Sequence, residues 1–310
     1  MEQYDILIIG GGISGLTAAI YAARANHSVC VLEREVCGGL VNYTNTIENI
    51  PSYRAVNGMQ FMEKCREQAD ALHVAIEELT EVADIDLSGR LKVVKTASGE
   101  EYAAPALIIA TGRQPRRFPV ETDFPNVHYC SVCDGAPYAG KDLIVVGGGN
   151  SGFDESLYLL GLGARGIHII EAMPQFLAAA VTQDAAAATG RIRATASAEI
   201  LAVETLPDGR GRVRIRDRNS GAETVEDVDG IFCFIGQTPN SAVFAGRLDM
   251  ENGYIRVTPR METSVPGVFA AGDVTAKDYR QITTAMGDGT VAALQASAWL
   301  RSGEGRASKA

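Results

Sequence analysis

The chain has 310 residues, 46% of them apolar and 21% charged, which is long for one compact core and argues for two domains. A formal net charge of −10 sets aside nucleic acid as a partner, because a nucleic-acid footprint is basic. Six cysteines are too few to staple a chain this long, no stretch is long and apolar enough to span a bilayer, and residues 1–5 lack the basic start of a secretory signal; the expectation is a cytoplasmic protein without membrane partners.

Taken in chain order, Ile6 to Ile9 form a continuous apolar run, as a strand buried on both faces requires. Gly10, Gly12 and Gly15 follow in a G-x-G-x-x-G frame, Leu16 to Ala25 is rich in helix formers, and His27 to Leu32 reads as a second strand ending at Glu33. This order predicts a dinucleotide site. Glycines let the backbone turn and approach a pyrophosphate, the helix N-terminus faces that charge, and the carboxylate accepts hydrogen bonds from a ribose diol. "LKVVKTASGEEY" then alternates like antiparallel strands, and "ALIIATG" (106–112) is an apolar strand running into Gly112.

The pattern recurs from Lys141 to Glu171, with Gly147, Gly149 and Gly152 in the same frame. The acid follows the first glycine by 23 residues in one copy (Gly10 to Glu33) and by 24 in the other (Gly147 to Glu171). "GRVRIRDRNSGAETVEDV" and "GIFCFIG" (230–236) repeat the strands of the first half, whereas "GVFAAGDV" (267–274) has no counterpart in the second. The predicted fold is therefore α/β: two Rossmann-like, three-layer ββα dinucleotide-binding domains, the second inserted into the first. Residues 1–116 and 245–310 form one domain and 117–244 the other.

Between the copies lies "YCSVCDG" (129–135), two cysteines three apart followed by an aspartate. Such a pair serves a metal, a structural staple or electron transfer. Zinc wants four ligands, and His128, Cys130 and Cys133 offer three with no second C-x-x-C or His pair, so no metal site is expected. Redox exchange suits the spacing: both sulfurs lie at one helix start, where the dipole stabilises a thiolate, one attacking a partner disulfide and the other resolving it. His128 is read as a solvated neighbour. The alanine-rich stretch 177–190 is read as a helix ended by Gly190, with no chemistry of its own.

Glycine fingerprint, "ATG", C-x-x-C-D-G, second fingerprint, "GVFAAGD" and "YRQITTA", in this order, resemble the low-molecular-weight thioredoxin reductases over essentially the whole chain. The tail "RSGEGRASKA" adds no second cysteine pair of the high-molecular-weight type. The resemblance implies a homodimeric, FAD-dependent disulfide reductase that acts on a thioredoxin-like protein. It places FAD against Gly10, Gly12, Gly15, Glu33, Gly38, Gly39, Asn49, Gly112, Gly272, Asp273, Arg280, Gln281 and Ile282. It also implies that Cys133 faces the flavin in a charge-transfer contact while Cys130 attacks the substrate. Asp134 then exchanges a proton with the leaving thiol, or caps the helix, or both. Leu40 departs from the glutamine that relatives often carry, and the family's inserted domain rotates about its two connecting segments to alternate between flavin and partner.

The second fingerprint departs further. Relatives that use NADPH carry H-R-R-x-x-x-R after the second strand of the inserted domain, where this chain reads "EAMPQFL" from Glu171 to Leu177. A carboxylate repels a 2′-phosphate and suits a free ribose diol. NADPH is therefore not the expected donor. Three readings stay open: NADH bound by Gly147, Gly149, Gly152 and Glu171; a ferredoxin docking at Arg113, Arg116 and Arg117, which also read as a solvated interdomain hinge; or a second adenine nucleotide or flavin in the inserted domain, or else electrons running backwards from dithiol to oxygen as in a dithiol oxidase. A non-catalytic flavoprotein sensor would not need the cysteine pair.

Overall fold

The computed structural model describes residues 1–44, 47 and 49–302, and for Cys133 the backbone alone. The chain divides into two units, Met1–Gln114 with Thr238–Ala310 and, between them, Pro115–Gln237.

In the first unit the strand Ile6–Ile9 lies at the centre of a five-stranded parallel sheet, ordered Val268–Ala270, Ala106–Ile109, Ile6–Ile9, Val29–Leu32, Ala75–Glu77. Its alternating side chains feed two different cores. Ile6 and Ile8 pack with Leu16, Phe61 and Ala292 from helices Ile13–Arg24, Gly58–Asp70 and Ile282–Arg301. Leu7 and Ile9 pack with Ile85, Val94 and Tyr102 from an antiparallel layer built of Val82–Asp86, Lys92–Thr96 and Glu101–Ala104. Burial on both faces is why the run carries no polar residue. Helices Ile13–Arg24 and Ile282–Arg301 cross closely because Gly289 has no side chain; a Cβ there would sit 2.2 Å from the Ser14 carbonyl oxygen. That crossing brings the start of the last helix to the first glycine turn.

The second unit repeats the three layers. Its parallel sheet runs Val127–His128, Gly230–Cys233, Asp142–Val146, Gly166–Ile170, Ile192–Thr195. Helices Asn150–Gly161 and Ala180–Ala188 cover one face, and the antiparallel strands Ala198–Thr205, Gly211–Asp217 and Glu223–Val228 cover the other.

Three details differ from the sequence reading. The position that Val268–Ala270 holds in the first unit is filled in the second by Val127–His128, which comes before the central strand rather than after it. The C-x-x-C segment thereby leaves directly from the carboxyl edge of a parallel sheet, where open α/β folds place their ligand chemistry. Second, the crossings fall at 114/115 and 237/238, where the sequence suggested 116/117 and 244/245. Phe244 is fully buried in the core of the first unit, and Asn240 donates to the Gly112 and Thr111 carbonyls at 3.0 and 2.9 Å, which anchors 240–244 there. Third, the alanine helix spans Ala180–Ala188, with Gly190 beyond it at φ +64°.

Candidate active site

The two fingerprints superimpose in their chemistry. Gly10 and Gly147 turn at φ +107° and +115°, and a Cβ on Gly15 or Gly152 would stand 1.8 Å from the Gly10 or Gly147 oxygen. Chain packing alone therefore requires the first and third glycines. The middle one is different: at Gly12 and Gly149 a Cβ would meet nothing within 4 Å. Each is the N-cap of its helix and offers no side-chain cap, leaving the first N–H groups of the helix turned to that open space. The chain's own packing does not require glycine at these two positions, and an anion is what a helix N-terminus favours.

The acids match as well. Glu33 accepts the Gly11 N–H at 2.6 Å and the Glu35 N–H at 2.9 Å; Glu171 accepts the Gly148 N–H at 2.6 Å and the Met173 N–H at 2.8 Å. A carboxylate has about four acceptor sites, so each keeps capacity for a diol. Around Glu171 the rim is apolar: Met173, Leu177 and Val181 are more than half exposed. The structure also brings up Arg218, which the sequence alone did not place. Its Nη1 donates to the Ala172 carbonyl at 2.8 Å, and its Nε lies 3.8 Å from Glu199.

Of the remaining first-unit residues, Gly38 and Gly39 lie against the first glycine turn. Gly38 donates to the Gly11 oxygen at 2.9 Å, and Gly39 lies 3.5 Å, by its missing Cβ, from the Gly12 Cα. Gly112 adopts φ +62° just past Ala106–Ile109. Gly272, at φ +77°, donates to Asp288, which also takes Lys277 Nζ at 2.6 Å. Asn49 Nδ2 donates to Gln281 Oε1 at 3.3 Å, and Gln281 caps the helix that begins at Ile282.

Asp273 holds Arg113 through Oδ2, at 3.0 and 3.2 Å, while its Oδ1 is buried without a hydrogen-bond partner. Arg280 lies over the Tyr254 ring at 4.2 Å, and its Nε is also buried and unpaired. An orphaned acceptor and an orphaned donor are costly in a folded chain, and both fit the polar groups of a bound flavin nucleotide. Arg113 is thus turned inward, which corrects its reading as part of a basic docking patch; Arg116 and Arg117 stay exposed. Tyr254 and Asp288 were missed from sequence: Tyr254 meets Arg280 only through the fold, and Asp288 lies inside the last helix with no motif to mark it.

In the second unit Cys130 is disulfide-bonded, whereas Cys30, Cys37, Cys65 and Cys233 are free. Its proposed partner Cys133 has a side chain outside the described part of the structure. Burial pushes the Cys30 and Cys37 thiols up to about 12, so neither is a ready thiolate. Cys130 immediately precedes the single turn Ser131–Asp134, on which Cys133 lies; the Asp134 N–H closes it on the Cys130 oxygen at 3.1 Å, so the dipole expected to favour a thiolate is that of one turn.

His128 departs from the solvated neighbour expected of it. Its side chain is 18% exposed, with Nε2 2.6 Å from Tyr138 Oη and Nδ1 3.4 Å from Asp134 Oδ2. Both ring nitrogens face protein groups rather than a metal position. Among the described residues no group of three or more His, Cys, Asp or Glu could hold a metal ion, and no helix is long and apolar enough to cross a membrane.

Comparison with known proteins agrees with this geometry. Residues 4–289 match the family described as pyridine nucleotide-disulphide oxidoreductase. The chain is 38% identical to the 34.2 kDa protein in the rubredoxin operon of Clostridium pasteurianum, covering 96% of this chain and 98% of that one. It is 37% identical to thioredoxin reductase of Bacillus subtilis strain 168, over 94% and 92%. Among solved structures, thioredoxin reductase of Lactococcus lactis superimposes with TM-score 0.87 at 33% identity, covering 96% of this chain and 99% of that one. The chain belongs to the pyridine nucleotide-disulphide oxidoreductase family, as a flavin-dependent disulfide reductase of thioredoxin-reductase-like type.

Proposed function

We infer that the protein carries electrons through FAD to the Cys130–Cys133 pair and on to the disulfide of a thioredoxin-like protein, working as a cytoplasmic homodimer. The observation that carries this reading is a disulfide at Cys130, launched from the carboxyl edge of the second sheet and followed by a carboxylate at Asp134. FAD, when bound, supplies the two-electron carrier that links donor to disulfide. The chain's own residues hold it: Gly12 and the helix behind it receive the pyrophosphate, Glu33 the ribose, and Asp273 and Arg280 offer an Oδ1 and an Nε that no hydrogen bond satisfies, Lys277 Nζ standing 3.9 Å from that Oδ1. Asp134 exchanges protons with the sulfurs.

For the donor, Glu171 supports NADH. Its carboxylate is tied to the glycine turn as Glu33 is, in a rim of exposed apolar side chains, which suits the free ribose of NADH and opposes a 2′-phosphate. A ferredoxin-type protein is the other reading, favoured by the exposed Arg116 and Arg117. A second adenine nucleotide or flavin at Gly149 would leave the donor question to that protein too.

The test is anaerobic stopped flow. The flavoprotein is mixed in turn with NADH, NADPH and reduced ferredoxin, and loss of the oxidised flavin band is followed. Fast bleaching by NADH supports the ribose reading of Glu171. Bleaching by ferredoxin with silence from both nicotinamides moves the donor to a protein, and fast bleaching by NADPH contradicts the role assigned to Glu171.

A further inference from the structure

Asp134 is a half-exposed carboxylate on a one-turn helix, with a side chain 41% accessible. A side chain so placed samples several rotamers unless something fixes it. The element that reaches it is the two-residue edge strand Val127–His128, through the His128 ring. That ring is clamped from two further sides. Tyr138, 6% exposed, packs on it with centroids 5.4 Å apart and bonds Nε2 through Oη at 2.6 Å, while Phe232 stacks at 5.0 Å from the strand Gly230–Cys233.

The protons in this chain can be assigned. Burial first, then the nearby Asp134 and Asp229 carboxylates, push the Tyr138 phenol up to about 12, so it keeps its proton. Burial lowers the His128 pKa, and Asp134 opposes that shift only in part, so the ring is neutral at neutral pH. A neutral imidazole has one N–H. If Nε2 carried it, a bare Nδ1 lone pair would face the Asp134 carboxylate. With the proton on Nδ1, the ring donates to Asp134 and Nε2 accepts from the Tyr138 hydroxyl, and every contact is satisfied. The ionisable groups facing the ring are Asp134 and Tyr138; Asp229 acts on Tyr138, Lys141 Nζ lies 5.4 Å from the centre of the Tyr138 ring, and Phe232 adds no charge.

We propose that His128, locked by Tyr138, is a positioning residue for Asp134, holding Oδ2 so that Oδ1 is presented to the exchanging sulfurs. This rests on the reading of Asp134 as the proton carrier. In the exchange, a thiol of the reduced pair gives its proton to Asp134, and the thiolate attacks the partner disulfide. One S–S bond forms as another breaks, and the departing sulfur takes the proton from Asp134. When the second thiol of the pair closes the disulfide, its proton goes to the other departing sulfur. Two thiols have become a disulfide and one disulfide two thiols, with Asp134 unchanged. A carboxylate free to rotate would make this hand-over slower without altering the sulfurs.

The experiment uses the FAD-loaded enzyme, reduced stoichiometrically under anaerobic conditions, so that no physiological donor is needed. Two probes are compared in single turnover. Bis(2-hydroxyethyl) disulfide releases a basic alkyl thiolate that needs a proton; 5,5′-dithiobis(2-nitrobenzoate) releases an acidic aryl thiolate that does not. His128→Leu is expected to slow the alkyl probe by about tenfold to a hundredfold and to change its pH profile, a fraction of what a general acid supplies, while the aryl probe, which loses only the deprotonation of the attacking thiol, slows several-fold less. His128→Asn, which keeps an N–H near the Nδ1 position, restores most of the alkyl rate, and Tyr138→Phe falls between.

Three results would overturn the proposal, and they are distinguishable. If His128→Leu keeps the wild-type rate ratio and pH profile while Asp134→Asn collapses them, His128 does not position Asp134. If Asp134→Asn is also without effect, the reading of Asp134 itself fails. If His128→Leu slows both probes equally, the residue is only structural.

Discussion

The two kinds of glycine in each fingerprint can be separated by one methyl group. In Gly15→Ala the new Cβ would be 1.8 Å from the Gly10 oxygen, well over an ångström inside ordinary contact, and the atom it meets is backbone. The turn must open, at a cost of about 3 kcal/mol or more, or roughly 6–12 °C in the melting temperature of the unit that carries it. In Gly12→Ala the Cβ meets nothing within 4 Å, and the backbone, at φ −71° and ψ −176°, is allowed to any residue. Stability of the flavin-free protein should therefore move by no more than about 1 kcal/mol. The methyl nonetheless stands where the pyrophosphate approaches, so FAD affinity should fall by at least about tenfold, or ~1.4 kcal/mol. The assays are thermal unfolding of the flavin-free variants and quenching of FAD fluorescence on titration. Gly152→Ala and Gly149→Ala repeat the contrast in the second unit. A Gly12→Ala protein that melts as early as Gly15→Ala yet binds FAD normally would refute the assignment of the middle glycine to the ligand.

Two further outcomes follow from charges in unusual settings. Burial holds the Glu155 carboxyl above its ordinary 4.5, so the folded state binds that proton more tightly than the unfolded one; this stabilisation is complete below pH 4.5 and is lost as pH rises through the folded value. Glu155→Gln should accordingly melt later than the wild type at pH 8, with the gap closing toward pH 4.5; a variant melting earlier at pH 8 would show that the carboxylate is compensated. Arg113→Gln should loosen FAD and destabilise the first unit by about 1–3 kcal/mol, since it removes both hydrogen bonds to Asp273 Oδ2. Substituting Arg116 and Arg117 by Gln should leave FAD retention untouched and change only the salt dependence of any reduction by ferredoxin.

What was readable in the sequence was local. Each fingerprint is a contiguous strand, turn and helix, and the physics that demands Gly10, Gly15, Gly147 and Gly152 acts over a few residues. The same holds for the two acids, which end strands whose apolar pattern is plain. What escaped reading is non-local or too short to carry a period. Arg113 looked like surface charge because its partner Asp273 lies 160 residues away. His128 looked solvated because a strand of two residues shows no alternation, and Tyr138 follows ten residues later in an unremarkable "GAPY". The second crossing was placed late because Phe244, in a short turn, gives no hint that it enters the core of the first unit.

The central claim is that the flavin and the Cys130 disulfide form one electron-transfer unit, and counting electrons tests it most directly. An anaerobic titration of the flavoprotein with dithionite, followed in the visible band, should consume two electrons for the flavin and two more for the disulfide. The Cys130→Ser variant should consume only the flavin's two. If wild type and variant take up the same two electrons per flavin, the cysteine pair is not in redox contact with the flavin, and the account fails.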